Sequence, residues 1–189
     1  MKRFLILPVL AIAMGGCFSS RTPATRNWLV EWKRSAVGDG GEARKYGVAR
    51  LASVTVRAPY DTTRLAVLRP DGTIAFDAYN LFAASPSLVI RGAAEDTLAA
   101  SGIFERVIPA SSQASASVAV EVVITAIALD CRNDGKRDAF VALTATLLDG
   151  RRIVASSSQE GRAATSSGDF SAAFSRAFVQ ALSRAVREF

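Results

Sequence analysis

The residues that could do chemistry in this sequence are limited first by what is missing. The 189 residues include no histidine and only two cysteines, Cys17 and Cys131. Without histidine there is no Ser-His-Asp or Cys-His catalytic arrangement and no histidine-containing zinc or copper site. Two cysteines are also too few for a four-cysteine metal site. The sequence therefore predicts no catalytic, metal-binding or cofactor-binding residue, and we expect the protein not to be an enzyme.

Two weaker signals surround Cys131. Residues 130–135 (DCRNDG) resemble the start of a calcium loop, but its third position is Arg132 and its twelfth is Val141, where calcium requires oxygen ligands. A hairpin turn is the better interpretation. Neighbouring arginines could activate the Cys131 thiol, although a structural cysteine is the simpler interpretation.

Cys17 is the last residue of a segment that resembles a signal for export and lipid attachment. Lys2 and Arg3 precede an apolar run, and residues 14–17 (MGGC) follow it. This order is typical of a secretory signal peptide, and its end resembles a bacterial lipobox, in which the cysteine thiol accepts a diacylglyceryl group. We predict lipid attachment at Cys17; the alternative is an ordinary signal peptide with a chance cysteine.

A lipidated Cys17 has consequences for location. Two or more acyl chains hold a protein stably on a membrane, whereas an apolar run of this length, about 16 Å as a helix, is too short to span one. Phe18 follows the cysteine where inner-membrane retention usually shows aspartate. Resemblance to sorted lipoproteins therefore implies the periplasmic face of the outer membrane.

The chain divides into a signal peptide (1–16), a lipidated cysteine with a polar tether (17–26) and one domain (27–189). Removing the signal peptide lowers the net charge from +6 to (23 − 2) − 17 = +4. Without a block of like charge or an aromatic-interleaved basic patch, we expect no nucleic-acid partner. Five basic residues lie near two predicted hairpin tips: Arg132, Lys136, Arg137, Arg151 and Arg152. They either attract anionic lipid headgroups weakly or form a simply solvated surface, and the sequence leaves both interpretations open.

Alternating apolar residues predict the strands of this domain. They indicate a strand over 47–57, a hairpin around Pro70-Asp71-Gly72, a long central strand over 117–129, and a second hairpin around Asp149-Gly150. In the long strand, Ala126 is expected on the face of Val118, and Ile127 on the opposite face. The last strand, 151–160, becomes serine-rich, as expected of a sheet edge.

Two helices are predicted at spacings of three and four residues. The first covers 86–101, with Ser85 as N-cap, and its expected buried residues are Leu88, Val89, Ala93, Ala94 and Leu98. The second lies within 167–189, with a stripe made of Phe170, Phe174, Phe178 and Leu182. The expected class is α+β, with a largely antiparallel sheet and two helices covering one face.

Several linked segments resemble the ABC-type transport auxiliary lipoprotein family, whose best-known branch is the paraquat-inducible intermembrane transport lipoprotein. They are residues 54–56 (VTV), 58–60 (APY), 65–69 (LAVLR), 74–79 (IAFDAY), 84–86 (ASP) and 98–104 (LAASGIF). The second half then follows the family's long-strand hairpin and closing helix.

The resemblance implies a non-catalytic outer-membrane lipoprotein with defined partners. These are a mammalian-cell-entry domain protein and its ABC permease and ATPase, which move phospholipid or other hydrophobic cargo between the inner and outer membranes. The alternative is a structural or assembly lipoprotein of the cell envelope. A homo-oligomer is compatible with either.

Three residues are candidates for contact with a partner. Tyr60 ends a predicted strand at the margin of the sheet, and the hairpin that follows carries Arg64 and Arg69. Aromatic and arginine side chains are frequent anchors in protein interfaces. The competing interpretation is that Tyr60 closes the turn and both arginines are solvated.

Overall fold

A computed structural model of the protein describes residues 24–30, 45–133, 135–166 and 169–189. Within these residues the chain forms eight strands and two helices. In chain order they are β1 (Arg26–Trp28), β2 (Tyr46–Val56), β3 (Arg64–Leu68), β4 (Ile74–Phe82), α1 (Pro86–Ala100), β5 (Phe104–Pro109), β6 (Val118–Asp130), β7 (Asp138–Asp149), β8 (Arg152–Ala164) and α2 (Phe170–Arg187). The predicted signal peptide and Cys17 lie outside the described residues.

One side of the sheet is an antiparallel meander. β6 pairs with β7 over almost its whole length, and β7 pairs in the same way with β8. Gly150, between β7 and β8, has a φ of 57°, a left-handed conformation that glycine adopts without steric penalty. The turn lies one residue later than predicted: Asp149 still pairs with Arg152, so the two loop residues are Gly150 and Arg151. Among the described strands β8 pairs only with β7, and it forms the predicted edge.

Two strands share the other side of β6. β2 pairs in parallel with the first half of β6, and β3 pairs in parallel with its last two residues. β5 lies parallel to β2, β4 returns antiparallel to β3, and β1 lies parallel to β4. The α+β class is confirmed. The sheet is mixed, because antiparallel pairing holds in the meander and the β3–β4 hairpin while the other pairs are parallel.

A β-bulge at Thr125 changes the faces of β6. The register with β7 shifts between Ile124 and Ala126, which leaves Thr125 unpaired. Beyond the bulge Ile127 belongs to the core beneath the helices, and Ala126 lies outside that core. The predicted faces of Ala126 and Ile127 are therefore wrong, since one extra residue shifts the period-two alternation.

The start of α1 differs from the prediction in its capping. Pro86 is the first helical residue, as expected, but the Ser85 side chain makes no capping hydrogen bond. Its Oγ instead donates to a carboxylate oxygen of Asp61 at 2.7 Å. Gly102, with a φ of 78°, follows the end of the helix.

The buried face of α1 is rotated from the predicted one. Leu88 is 76% exposed, so its predicted burial is wrong, and Ile90 is fully buried in its place. The helical period explains the difference, because Ile90 and not Leu88 lies three or four residues from the rest of the buried stripe. That stripe consists of Pro86, Ile90, Ala93, Ala94, Thr97 and Leu98.

The closing helix has the predicted stripe. Phe174, Phe178 and Leu182 are fully buried, and Phe170 is half-buried at the margin of the core. α2 packs on β7 and β8, α1 packs on β2 and β5, and the two helices contact each other on the same side of the sheet. No helix in the described ranges is both long and apolar enough to cross a membrane.

Candidate partner-binding surface

The side of the sheet that the helices do not cover is called here the helix-free face. On β7 the core residues alternate with Phe140, Ala142, Thr144 and Thr146, which therefore point to this face. Their neighbours on β8 carry hydroxyls: Thr144 and Ser158 lie 2.8 Å apart, and Thr146 and Ser156 lie 3.2 Å apart, measured between side-chain oxygens. The middle of the β7–β8 hairpin thus presents small and hydroxyl-bearing side chains on this face.

Phe140 is a large apolar residue of this face, and arginines cover it. Its ring lies 4.3 Å from the guanidinium carbon of Arg162 and 5.6 Å from that of Arg132. Phe140 is only 6% exposed although no helix lies over it. Cation–π attraction and the apolar stems of the arginines account for this burial.

A buried carboxylate holds the two arginines in place. Asp130, at the end of β6, accepts hydrogen bonds from Arg132 Nε at 2.9 Å and Nη2 at 2.7 Å. Arg162 Nη2 lies 3.5 Å from the same carboxylate, and Arg162 Nη1 lies 3.0 Å from Glu160. We call Asp130, Arg132, Phe140 and Arg162 the arginine–phenylalanine cluster.

The charges of this cluster stabilise one another. Hydrogen bonds from the Arg132 side chain, outweighing the effect of burial, lower the pKa of Asp130, and the charges of Arg132 and Arg162 add to this. The same hydrogen bonding raises the pKa of Arg132, with further contributions from the charges of Asp130 and Glu160. Asp130 and Arg132 therefore stay ionised at neutral pH.

Tyr60 packs where the chain leaves β2. It follows a cis Ala58–Pro59 bond, its backbone N–H donates to the Arg57 carbonyl at 2.9 Å, and its half-buried side chain packs against the core. Tyr60 thus has the turn-closing contacts of the simpler interpretation.

Arg64 and Arg69 do not join Tyr60. The Arg64 guanidinium carbon lies 5.6 Å from the centre of the Phe76 ring, on the helix-free face. Arg69 is exposed in the turn between β3 and β4, where its backbone N–H donates to Thr73. The three predicted contact residues are therefore spread along the β2–β3 side of the sheet.

The register brings two arginine-covered phenylalanines into one row. Phe76 on β4 pairs with Ala66 on β3, whose neighbour on β6 is Ala128, and Ala128 pairs with Phe140 on β7. Three strand spacings, about 14 Å, separate the two rings.

The sequence analysis did not select Phe140 or Arg162. The signal that could have found them is the β7–β8 hairpin, which places these two residues opposite each other.

A cleft lies where the chain enters the domain. Trp28 Nε1 donates to the Asn80 side chain at 3.1 Å, and the Trp28 ring lies 5.2 Å from that of Phe170. Beside them is a cleft of about 240 Å³ that also reaches Arg26 and Arg137. These contacts fix β1 between β4 and the start of α2.

The weaker candidates have other roles. The carboxylate of Asp130 is used by two arginines, and in the described ranges no three His, Cys, Asp or Glu side chains are grouped closely enough to hold a metal ion. Burial raises the pKa of the Cys131 thiol, although Arg137 acts in the opposite direction. Cys131 is thus not an activated thiol.

Comparison with known proteins shows the architecture. No family model matches the sequence, and no curated protein matches it. A Xanthomonas campestris protein of the DUF330 family superposes with a TM-score of 0.56 and 19% identity, covering 86% of each chain. The chain shares the fold of this DUF330 protein.

Two further structures superpose on this chain. An uncharacterized protein superposes with a TM-score of 0.61 and 10% identity, covering 83% of this chain and 93% of its own. PelC from Paraburkholderia phytofirmans, a dodecamer, gives a TM-score of 0.45 and 17% identity, covering 75% of this chain and 86% of its own. At these identities the likeness concerns the fold alone.

Proposed function

We propose that the protein is a non-catalytic, lipid-anchored auxiliary component of an ABC transporter of the mammalian-cell-entry type. In this role Cys17 carries the lipid at the periplasmic face of the outer membrane, and the domain binds a transporter protein while other chains hydrolyse ATP and move the hydrophobic cargo. The domain itself turns over no substrate.

The observation that carries the proposal is the helix-free face. Within the described ranges no helix covers the middle of this face of the eight-stranded sheet, and the face presents arginines over Phe76 and Phe140. Arginine and aromatic side chains are the types enriched where protein interfaces are fully desolvated. A face of this kind suits binding of a protein better than turnover of a small molecule.

The segments that carry the family resemblance also support the proposal. They form β2, the Tyr60 turn, the β3–β4 hairpin, and α1 with its continuation into β5, which together make up one side of the molecule. The DUF330-like fold is compatible with this resemblance.

Partner capture from native membranes tests the proposal with two matched variants. Arg64→Glu reverses an exposed charge on the helix-free face, whereas Arg91→Glu makes the same change on exposed α1. After crosslinking and affinity recovery, we expect Arg64→Glu to retain less than a tenth of the mammalian-cell-entry protein that Arg91→Glu retains.

The outcomes separate the two functions considered. Equal recovery by both variants would place the contact elsewhere than the helix-free face. Recovery of envelope-assembly proteins with no transporter component, by the unaltered protein, would favour the structural or assembly lipoprotein instead.

The anchor is tested separately through Cys17. We expect Cys17→Ala to leave unprocessed or mislocalised protein that incorporates no radioactive palmitate. If the variant is still processed and labelled in outer membranes, the anchor is assigned to the wrong residue.

A further inference from the structure

Two basic hairpin tips lie at opposite ends of the meander. The β6–β7 tip begins after the pair Asp130–Asp138 and carries Lys136 and Arg137, whereas the β7–β8 tip follows the pair Asp149–Arg152. β7 joins the two tips and has 12 residues, so they are about 40 Å apart. One flat membrane surface cannot contact both tips of an upright domain.

The chain enters the domain at the β6–β7 end. β1 runs parallel to β4 with Arg26 opposite Asn80, so the residues before Arg26 lead back along β4 toward its start. That start is the β3–β4 turn, which lies beside Asp130 because Leu68 pairs with Asp130. We call this part of the molecule, with the β3–β4 turn and the β6–β7 tip, the tether end.

The cleft confirms how close the entering chain is to the β6–β7 tip. Arg26, Trp28 and Arg137 all line it. The Arg137 carbonyl also accepts hydrogen bonds from the backbone N–H and hydroxyl of Thr165 at 3.0 and 2.8 Å. The tip is therefore fixed to the end of β8 next to β1.

The basic side chains at the tether end differ in whether they are already paired with a carboxylate. Arg132 is held by Asp130, and Arg69 shares its turn with Asp71. Lys136 and Arg137 are exposed, and among the described residues neither forms an ion pair. These two side chains can bind an external anion without breaking an ion pair to any described residue.

The far tip combines charge with apolar surface. Arg151 and Arg152 are exposed there, next to Ile153 and Val154, which are 64% and 42% exposed. Arg152 lies 3.9 Å from Asp149, a long and solvent-exposed ion pair of little energetic value. From charge alone, either tip could face an anionic membrane.

The length of the tether decides between the tips. Eight residues separate Cys17 from Arg26, and the nine Cα-to-Cα steps between these two residues span about 30 Å in a fully extended chain. The tether end can therefore contact the bilayer, while the far tip lies about 40 Å farther along an upright domain. We infer that the tether end lies on the lipid headgroups, with Lys136 and Arg137 bound to lipid phosphates, and that the far tip points away from this membrane. This inference rests on the proposed anchor at Cys17.

Headgroup quenching in vesicles tests the orientation. The full-length lipidated chain, carrying Cys131→Ser, is labelled with a fluorophore at Thr73→Cys in the tether end or, as the matched control, at Arg151→Cys in the far tip. Vesicles contain phosphatidylcholine with 30% phosphatidylglycerol and a small fraction of headgroup spin-labelled lipid. We expect at least fivefold stronger quenching at position 73 than at position 151.

Flotation of the vesicles separates failure of the anchor from failure of the orientation. A chain that does not float with vesicles refutes the lipid anchor and thus the proposed function. A chain that floats but is quenched more strongly at position 151, or at neither position, overturns the orientation while the anchor stands.

A charge test examines the role of the two cations. Each cation near an anionic surface contributes roughly 1 kcal/mol, which is about a fivefold change in the ratio of surface-bound to free domain. Replacing both cations therefore lowers this ratio about 30-fold. Lys136→Gln with Arg137→Gln should thus lose most quenching of a label at Thr73→Cys, whereas Arg151→Gln with Arg152→Gln should not. Equal quenching in both double variants would show that Lys136 and Arg137 do not bind lipid phosphates.

Discussion

Substituting Gly161 by alanine adds a single atom, the Cβ, at the contact between β8 and α2. A Cβ atom on Gly161 would lie 1.8 Å from the carbonyl oxygen of Ala177 and 3.1 Å from the backbone nitrogen of Ala181. Gly161 is not among the glycines with positive φ, so space and not backbone conformation requires glycine here. The strand and helix backbones are close because no side chain separates them.

The distance by which the backbones must move apart sets the expected loss of folding stability. Real Cβ atoms essentially never approach another heavy atom within 3.0 Å, so this contact must open by at least 3.0 − 1.8 = 1.2 Å. The obstructing atoms are backbone atoms and cannot rotate away. A gap of 0.5–1 Å already forfeits roughly a quarter to a half of a van der Waals contact, and overpacking usually costs about 1–3 kcal/mol. Because α2 carries Phe174 and Phe178 into the core, we expect a loss of about 3 kcal/mol or more.

Urea unfolding measures this loss, and Gly92→Ala is the matched control. Nothing lies within 4 Å of a Cβ atom at Gly92, which is exposed in α1. Alanine there should stabilise the protein by about 0.5–1 kcal/mol, since glycine weakens a helix by that amount. With a denaturant slope near 2 kcal/mol per molar, Gly161→Ala should lower the midpoint by about 1.5 M. A Gly161→Ala midpoint equal to or above that of the unaltered protein would refute the close approach of β8 to α2.

Three further perturbations follow from the same structure. Phe174→Ala should lower the free energy of unfolding by about 3–5 kcal/mol because the ring is fully buried, whereas Leu88→Ala on the exposed side of α1 should change it by less than about 0.5 kcal/mol. The folded-state pKa of Asp130 is lower than its usual value near 3.8, so its contribution is present above about pH 4 and is lost as pH falls through the folded pKa; the stability gap between the protein and Asp130→Asn, measured by thermal melts, should therefore narrow from pH 7 to pH 3. Because burial raises the pKa of Cys131, iodoacetamide should modify this thiol more slowly at pH 8 than it modifies a free cysteine, and equal rates would contradict its burial.

The elements that sequence predicted well are those specified by neighbouring residues. Gly72 and Gly150 adopt positive φ within the predicted turns, and a local dipeptide or tripeptide is enough to indicate such a turn. The stripe of α2 was also readable, because 3.6-residue periodicity over five turns leaves one arrangement of its phenylalanines.

Strand pairing could not be read in the same way. β2 and β3 both lie parallel to β6, and this pairing depends on residues more than 60 positions apart. Period-two patterns predict that a strand exists and do not specify its neighbour. The bulge at Thr125 had no warning either, since it contains no glycine or proline to mark an interruption.

The arginine–phenylalanine cluster was missed for a related reason. Asp130, Phe140 and Arg162 come from three strands, and only the register of β6, β7 and β8 places them together. Tyr60, Arg64 and Arg69 were selected because they are close in sequence, and the sheet spreads them along one side. Proximity in sequence was therefore a poor guide to a surface built across strands.

The contacts of the cluster also restrict what a partner can bring to the helix-free face. Arg132 is committed to both oxygens of Asp130, and displacing it would leave a largely buried carboxylate without its main donor. Arg64 has no such commitment, because the contacts it makes are with the ring and carbonyl of Phe76. A protein partner with a carboxylate opposite Arg64 gains an ion pair without breaking one, whereas a carboxylate opposite Arg132 competes with Asp130. The acidic residue of the partner should therefore face the β3–β4 hairpin, and the partner's surface over Phe140 should be apolar or hydroxyl-bearing to match the threonines and serines beside it.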